Sequence, residues 1–93
     1  MKLTSYEVNF IFYKGVVILV TKVRQLRTSA KMTQTQLAEQ VHVSVRTIIS
    51  IEKEQYSPSL MLAYRIARIF GVSVEELCCL QHNMEMEDRD EQA

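Results

Sequence analysis

The chain has 93 residues, of which 47% are hydrophobic, and its eleven lysines and arginines balance eleven aspartates and glutamates. This composition excludes an intrinsically disordered protein and a large multi-domain enzyme. It favours one small domain whose core is marginal unless its helices pack well or two copies associate. Taken alone, a formal net charge of zero also argues against nucleic-acid binding, because phosphate contacts require positive charge.

The charge is unevenly distributed along the chain. Residues 21–80 contain eight basic and five acidic residues, a charge of +3, whereas residues 81–93 carry −4 and residues 1–20 carry +1. Neutrality of the whole chain therefore does not exclude a basic surface on its central segment. We expect residues 81–93 to form an acidic, flexible tail, because they offer few apolar side chains to a core.

Residues 1–20 have the pattern of a β-hairpin. Apolar and polar side chains alternate over residues 6–12, β-branched residues dominate 16–20, and Lys14-Gly15 between them can form the turn. An isolated hairpin is unstable in water. It must therefore pack on the rest of the chain or pair with a second copy, unless it is an accessory extension with no role in function. The sequence leaves these alternatives open.

Two features favour a cytoplasmic protein. Lys14 and Gly15 interrupt the only stretch apolar enough to suggest a membrane span, and no small-x-small cleavage site follows it. Cys78 and Cys79 are adjacent, so a structural disulfide between them would be strained. We therefore expect a protein of the reducing cytoplasm without membrane association.

From Thr21 onward the apolar residues recur with the period of α-helices. The predicted helices cover residues 22–30, 34–40, 45–53, 60–70 and 74–80. Thr33 and Gln36 have the spacing of a capping box at the second helix. Ser44 is the expected cap of the third helix, and Gly71 is the expected end of the fourth. The expected core positions include Leu37, Val41, Ile48, Ile51 and Phe70.

No catalytic or metal-binding pattern accompanies these helices. The chain has no Gly-rich phosphate loop and no H-E-x-x-H motif, and no Ser or Cys nucleophile has an evident base. Cys78, Cys79 and His82 offer three potential metal ligands, but a fourth ligand and the usual paired spacing are missing. We expect neither enzyme activity nor a cofactor or metal, and we interpret the two cysteines as packing and surface residues of the fifth helix.

The second and third predicted helices, at about residues 33–53, have the dimensions of a helix-turn-helix. Such a motif needs a short second helix with free side chains at its start, so that it can enter a major groove. Four motifs carry a resemblance: MTQTQLA at 32–38, VSVRTI at 43–48, IE at 51–52 and YSPSL at 56–60. In order and spacing they are similar to the lambda-repressor-like, Cro-type (XRE) family of DNA-binding regulators, and the resemblance covers residues 22–80.

The resemblance implies roles for particular side chains. Base reading falls to Val45, Arg46 and Ser50. Phosphate contacts fall to Gln34, Ser44, Thr47 and Lys53. A buried structural ion pair between the first and third helices falls to Arg27 and Glu52. Arg46 is the main candidate for base recognition, because a guanidinium donates two hydrogen bonds to guanine.

The sequence departs from the family pattern at three places. Val45-Arg46 stands where relatives often have polar pairs, so the DNA sequence that relatives bind cannot be carried over. Lys53-Glu54 replaces the usual Asn-Gly, which removes the residue best suited to a left-handed helix end. Ile49 is apolar on a face that is usually solvated, where a thymine methyl or a partner protein would be its contact.

The sequence therefore predicts a mainly α fold: a five-helix lambda-repressor-like DNA-binding domain at 21–80, an N-terminal β-hairpin extension at 1–20 and the tail at 81–93. The resemblance implies a sequence-specific transcriptional regulator, expected to be a repressor that binds an inverted-repeat operator in double-stranded DNA as a homodimer. The alternative is an antitoxin-like protein-interaction module that binds a protein partner through the hairpin or tail and regulates its own gene.

Overall fold

The computed structural model describes residues 19–92 of the chain. Six helices follow one another: α1 Val23–Ser29, α2 Gln34–Gln40, α3 Val45–Glu52, α4 Leu60–Phe70, α5 Val74–Leu77 and α6 Leu80–Gln92. Within this described part there is no strand, and none of its helices is both long and apolar enough to cross a membrane.

Side-chain caps set where the central helices begin. At α2 the Thr33 hydroxyl accepts from the Gln36 N–H at 3.0 Å, and the Gln36 side chain accepts from the Thr33 N–H at 2.8 Å. This confirms the predicted capping box. Ser44 caps α3 as predicted, and Ser59 and Ser73 cap α4 and α5 in the same way. Each of these four hydroxyls satisfies a backbone N–H that the first helical turn would otherwise leave unpaired.

The first helix, predicted to begin at residue 22, begins at Val23. Its N-terminal flanking residue is Lys22, which makes no side-chain capping bond. Thr21 Oγ1 accepts only a long hydrogen bond, at 3.4 Å, from the N–H of Val23. The start of α1 is instead fixed from outside the helix, because the Lys22 N–H donates to the carbonyl of Leu77 at 2.8 Å.

The predicted fold class is wrong in its number of helices, and the two described residues of its hairpin form no strand. The fifth helix, predicted over 74–80, ends at Leu77, and Cys79 takes a left-handed conformation with φ of 49° before α6 begins. A left-handed residue cannot continue a right-handed helix, so this one backbone position separates α5 from α6. The segment 81–93, expected to be a flexible tail, is helical to Gln92. Its abundant Glu, Gln and Met residues favour helix.

Most of the predicted hairpin lies outside the described residues. Only Leu19 and Val20, the last two residues of the predicted second strand, are described, and they form no strand. Their backbone N–H groups donate to side chains instead: Leu19 donates to the Ser57 hydroxyl at 2.9 Å and Val20 to the Asn83 amide oxygen at 3.1 Å. A side-chain partner for each N–H is incompatible with a hairpin ladder at these two residues.

Residues of all five helices from α1 to α5 contribute to the core. Among the described residues, the hydrophobic ones with no exposed surface are Val23, Leu37, Ile48, Ile51, Ile66 and Leu77. The predicted core positions are confirmed, with the qualification that Phe70 is only partly buried at the edge. Gly71, predicted to end α4, has φ of 68° and does so. Cys78 is buried beside this core, and burial, together with the neighbouring Cys79, raises the pKa of its thiol.

Asn83 connects the two ends of the described chain. Its side chain is almost fully buried, with 7% of the residue exposed. Its amide nitrogen donates to the carbonyls of Val20, Cys78 and Cys79 at 2.8 to 3.0 Å, while its oxygen accepts from Val20. The side chain therefore holds the segment before α1 against the start of α6.

Candidate nucleic-acid interface

Helices α2 and α3 pack against each other across a tight turn. The turn is closed by a hydrogen bond from the Val43 N–H to the carbonyl of Ala38 at 3.0 Å. His42 lies in this turn with φ of 63°, in the left-handed region. It is exposed, as expected for a turn residue. Leu37 of α2 and Ile48 of α3 are both fully buried, so the two helices share one core and are fixed in relative position.

Helix α3 has one buried and one accessible face. Ile48 and Ile51 are fully buried, whereas Val45 is 38% exposed and Arg46 is exposed. Ser50 lies one helical turn after Arg46 and is half-buried. The structure therefore brings the three predicted base-reading residues onto one accessible side of a short, well-anchored helix.

Ile49 lies on this same accessible side. It is half-buried and one turn away from both Val45 and Lys53. Together with Val45 it makes an apolar strip beside the polar side chains of Arg46 and Ser50. Such a strip suits apolar contact with thymine methyl groups, which lie in the major groove.

The predicted phosphate contacts Ser44 and Thr47 meet at the start of α3. The Ser44 hydroxyl accepts from the Thr47 N–H at 3.3 Å, and the two side-chain oxygens lie 3.2 Å apart. Ser44 is exposed and Thr47 is half-buried. A hydroxyl has one donor and two acceptor positions, so capping the helix leaves hydrogen-bonding capacity for another group.

The end of α3 keeps its turn without Asn-Gly. Lys53 is exposed at the helix end, and Glu54 takes the left-handed conformation itself, with φ of 60°. Hydrogen bonds from Glu54 to the Ile51 carbonyl and from Gln55 to the Ser50 carbonyl close the turn. Glu54 therefore adopts the left-handed conformation without glycine, which strains its backbone.

Glu52 is the centre of a hydrogen-bond network that joins α1, α2 and α3. Its side chain has no exposed surface. Arg27 donates to it from Nε at 2.7 Å and from Nη2 at 3.1 Å, and Gln34 donates from Nε2 at 3.0 Å. The Nε of Arg24 lies 3.5 Å from the same carboxylate. The remaining Arg27 group, Nη1, donates to the carbonyl of Met32 at 2.8 Å.

The ionisation of this network follows from two opposing effects. Burial raises the pKa of Glu52, but hydrogen bonds from Arg27, Gln34 and Arg24, together with the Arg27 charge, outweigh burial and hold the pKa below its ordinary value. The hydrogen bond to Glu52 raises the pKa of Arg27 in turn. Both groups are therefore charged at neutral pH, and the pair links α1 to α3 as an ionic contact.

Two members of the network were not predicted from the sequence. Gln34 was expected only as a phosphate contact, yet its amide is hydrogen-bonded to Glu52, 18 residues away in sequence. Arg24 had no predicted role. It lies three residues before Arg27 on α1, and this spacing, which puts both side chains on one face of a helix, is the signal that would have indicated it.

A basic groove lies beside this network, between α1 and the start of α2. It has a volume of about 570 Å³. We call it the α1–α2 groove; it is lined by Arg24, Arg27, Thr28, Lys31, Met32, Thr33 and Gln34. The lining contains three cations and no carboxylate; Arg27 is paired with the neighbouring Glu52, so the positive charge of the groove comes from Arg24 and Lys31.

Comparison with known proteins places these features in context. A family model described as Helix-turn-helix matches residues 23–77. An uncharacterized HTH-type transcriptional regulator of Archaeoglobus fulgidus is 47% identical over 57 residues, which are 61% of this chain and 81% of that protein. The immunity repressor protein of Bacillus phage phi105 is 32% identical over 56 residues, 60% of this chain and 39% of that protein.

A similar fold occurs among solved structures. The crystal structure of the clp gene regulator ClgR from Corynebacterium glutamicum matches with a TM-score of 0.56 and 24% sequence identity. The match covers 72% of this chain and 79% of that one. At this identity the likeness concerns the fold alone.

Proposed function

Since this chain belongs to the helix-turn-helix family of DNA-binding transcription regulators, we propose that it recognises a specific DNA sequence by placing the accessible side of α3 in a major groove. One observation carries the proposal. Val45 and Arg46 project from the start of α3, while Ile48 and Ile51 fix the opposite side of the same helix in the core. A recognition helix needs both properties, because its base contacts are useful only if the helix is held in a fixed orientation.

The base contacts divide between hydrogen bonds and apolar contact. Arg46 donates two hydrogen bonds to the O6 and N7 of a guanine, and Ser50, one turn later, bonds a neighbouring base edge. Val45 contacts the methyl group of a thymine, and Ile49 extends this apolar contact. Val45 and Arg46 together therefore favour a site that contains both guanine and thymine.

The phosphate contacts lie on both sides of the recognition helix. Ser44 and Thr47 bond a phosphate at the start of α3, and Lys53 contacts the backbone at its end. Gln34 contributes from α2. Its amide has two donor hydrogens, so one stays on Glu52 while the other reaches the DNA, and the carboxylate keeps the side chain oriented.

We also propose that the protein acts as a homodimer on an inverted repeat. One helix of eight residues contacts few base pairs, whereas two copies on half-sites ~34 Å apart combine their affinity and specificity. Exposed apolar pairs are the candidate contacts between copies: Leu60 and Met61 on α4, and Leu80 and Met84 on α6. Repression is the proposed outcome, supported by the similarity to a phage immunity repressor.

Selection of bound duplexes from a random DNA pool tests this function. We expect enrichment of an inverted repeat whose half-sites lie about one helical turn, or a multiple of it, apart. Arg89→Ala, which removes an exposed charge from α6, serves as the matched control and should enrich the same sequence. A pool that stays random would refute sequence-specific binding, whereas enrichment of a single half-site would refute the dimer alone.

A further inference from the structure

Apart from Gln34, the residues that line the α1–α2 groove have no role in the contacts proposed above, although the lining is basic. Building on the proposed function, we propose that this groove binds a phosphate of the DNA backbone, with Arg24 and Lys31 as the side chains that contact it. The contact is additional to those made from α3 and the start of α2, and it extends the DNA interface onto α1.

The groove keeps an excess of positive charge despite the buried carboxylate next to it. Glu52 accepts two hydrogen bonds from Arg27, at 2.7 and 3.1 Å, and the opposite charges of these two residues cancel. Arg24 approaches the same carboxylate only to 3.5 Å, and its side chain is 60% exposed. A guanidinium has five N–H donors in a planar arrangement, so Arg24 retains free donors that face solvent. These are the groups that bind phosphate oxygens best.

Lys31 supplies an independent observation. Its backbone lies in the left-handed region with φ of 58°, a conformation that glycine adopts freely and that other side chains adopt at a cost. The side chain is exposed, and among the described residues it forms no ion pair. Its ammonium group is therefore available for a phosphate oxygen, and the left-handed backbone makes glycine a replacement that removes the charge without straining the fold.

The position of the groove fits an extension of the α3 interface. Gln34, which lines the groove, is hydrogen-bonded to Glu52, the last residue of α3. Thr33, which caps α2, lines the groove as well. A duplex seated on α3 and the start of α2 would therefore lie next to the groove that Arg24 and Lys31 line. Charged groups and hydroxyls in the lining suit contacts with the DNA phosphates, which carry no sequence information, rather than with base edges.

The decisive variant is Lys31→Gly, because folding and binding should change in opposite directions. We expect it to unfold at a higher urea concentration, since glycine relieves the left-handed strain. We also expect its affinity for a random-sequence duplex to fall roughly three- to tenfold at about 50 mM salt. The slope of log K against log salt, measured by fluorescence anisotropy from about 50 to 200 mM, should decrease by about 0.9.

Two further variants complete the experiment. Arg24→Gln should lower affinity and slope in the same way. Arg89→Gln makes the same change of charge on α6, outside the groove, and should leave the slope unchanged. Unchanged slopes in both groove variants, or an equal loss in Arg89→Gln, would overturn the inference and leave the proposed function intact. If the unmodified protein bound no duplex at all, both would fail.

The source of the phosphate is tested separately. Calorimetric titration of the protein with inorganic phosphate, at constant ionic strength, should show no binding in the millimolar range. The groove is open to solvent on one side and therefore does not surround a free ion. Saturable binding that Lys31→Gly abolishes would identify the groove as a site for free anions and would overturn the assignment to DNA.

Discussion

The Arg27 guanidinium donates two hydrogen bonds, at 2.7 and 3.1 Å, to a Glu52 carboxylate that has no exposed surface. This contact fixes α1 to the last residue of α3. Because Gln34 donates to the same carboxylate, the start of α2 is fixed by it too. One buried charge thus sets the relative position of the three helices that carry the proposed DNA contacts.

Removing that carboxylate should strongly destabilise the fold. We expect Glu52→Ala to lower the free energy of unfolding by about 3 to 5 kcal/mol, because Arg27 and Gln34 lose their acceptor in a desolvated site. Urea unfolding measures the change. Glu39→Ala, at an exposed position of α2, is the control and should change stability by less than about 0.5 kcal/mol. If the two variants lost similar amounts of unfolding free energy, the buried hydrogen bonds of Glu52 would contribute no more to stability than an exposed glutamate does.

Stability should depend on pH through the same group. Since the folded pKa of Glu52 lies below its ordinary value, ionised Glu52 stabilises the fold fully above the unfolded pKa of about 4.3. This contribution is lost as the pH falls through the lowered folded pKa. Glu52→Gln should therefore be less stable than the unmodified protein at neutral pH and approach it below about pH 4. Parallel stability curves at all pH values would contradict the lowered pKa.

The turn between α2 and α3 offers a stabilising substitution. His42 has φ of 63° and is exposed, so His42→Gly should raise the free energy of unfolding by about 0.5 to 1 kcal/mol. The reciprocal change is Gly71→Ala, where φ is 68° and the added carbon would meet no atom within 4 Å. We expect a loss of about 1 kcal/mol there, caused by the backbone alone. Thermal unfolding of both variants tests this. If both substitutions changed the unfolding free energy in the same direction, left-handed backbone strain could not be the cause.

Base reading by Arg46 is testable once a binding sequence has been selected. Arg46→Ala should weaken binding to that sequence by about 1 to 3 kcal/mol and binding to random DNA much less. Lys53→Ala provides the contrast, because a phosphate contact should weaken both complexes alike and reduce the salt slope by about one. Anisotropy titrations with the two duplexes separate these effects. Equal losses of Arg46→Ala on both duplexes would assign Arg46 to the backbone instead.

Local signals made the helix starts predictable from sequence. The capping box of Thr33 and Gln36 and the hydroxyl of Ser44 act within three residues, so their effect does not depend on the rest of the fold. The same holds for Gly71, whose missing Cβ permits the left-handed end of α4. The buried positions of α2, α3 and α4 likewise follow from the helical period of their apolar residues.

Features that depend on distant contacts were not predictable. Nothing in the residues around Cys79 marks a left-handed break, because the usual glycine is absent. The sequence therefore predicts a single helix over residues 74–80 and a tail where α6 lies. The link between Gln34 and Glu52 spans two helices and appears only once they are packed. The roles of Val45, Arg46 and Ser50 in base reading stay predictions, since their place on the accessible side of α3 permits the contact without testing it.

The Asn83 side chain gives the domain a late step in its synthesis. It bonds to Val20 across 63 residues of sequence, so Val20 cannot form these hydrogen bonds until Asn83 has been synthesised. At about 5 to 20 residues per second, translation delays this closure by roughly 3 to 13 seconds after Val20 is made. During that interval α1 to α5, which lie between Val20 and Asn83 in sequence, are being synthesised, so the bonds between Val20 and Asn83 can form only after most of the helices exist.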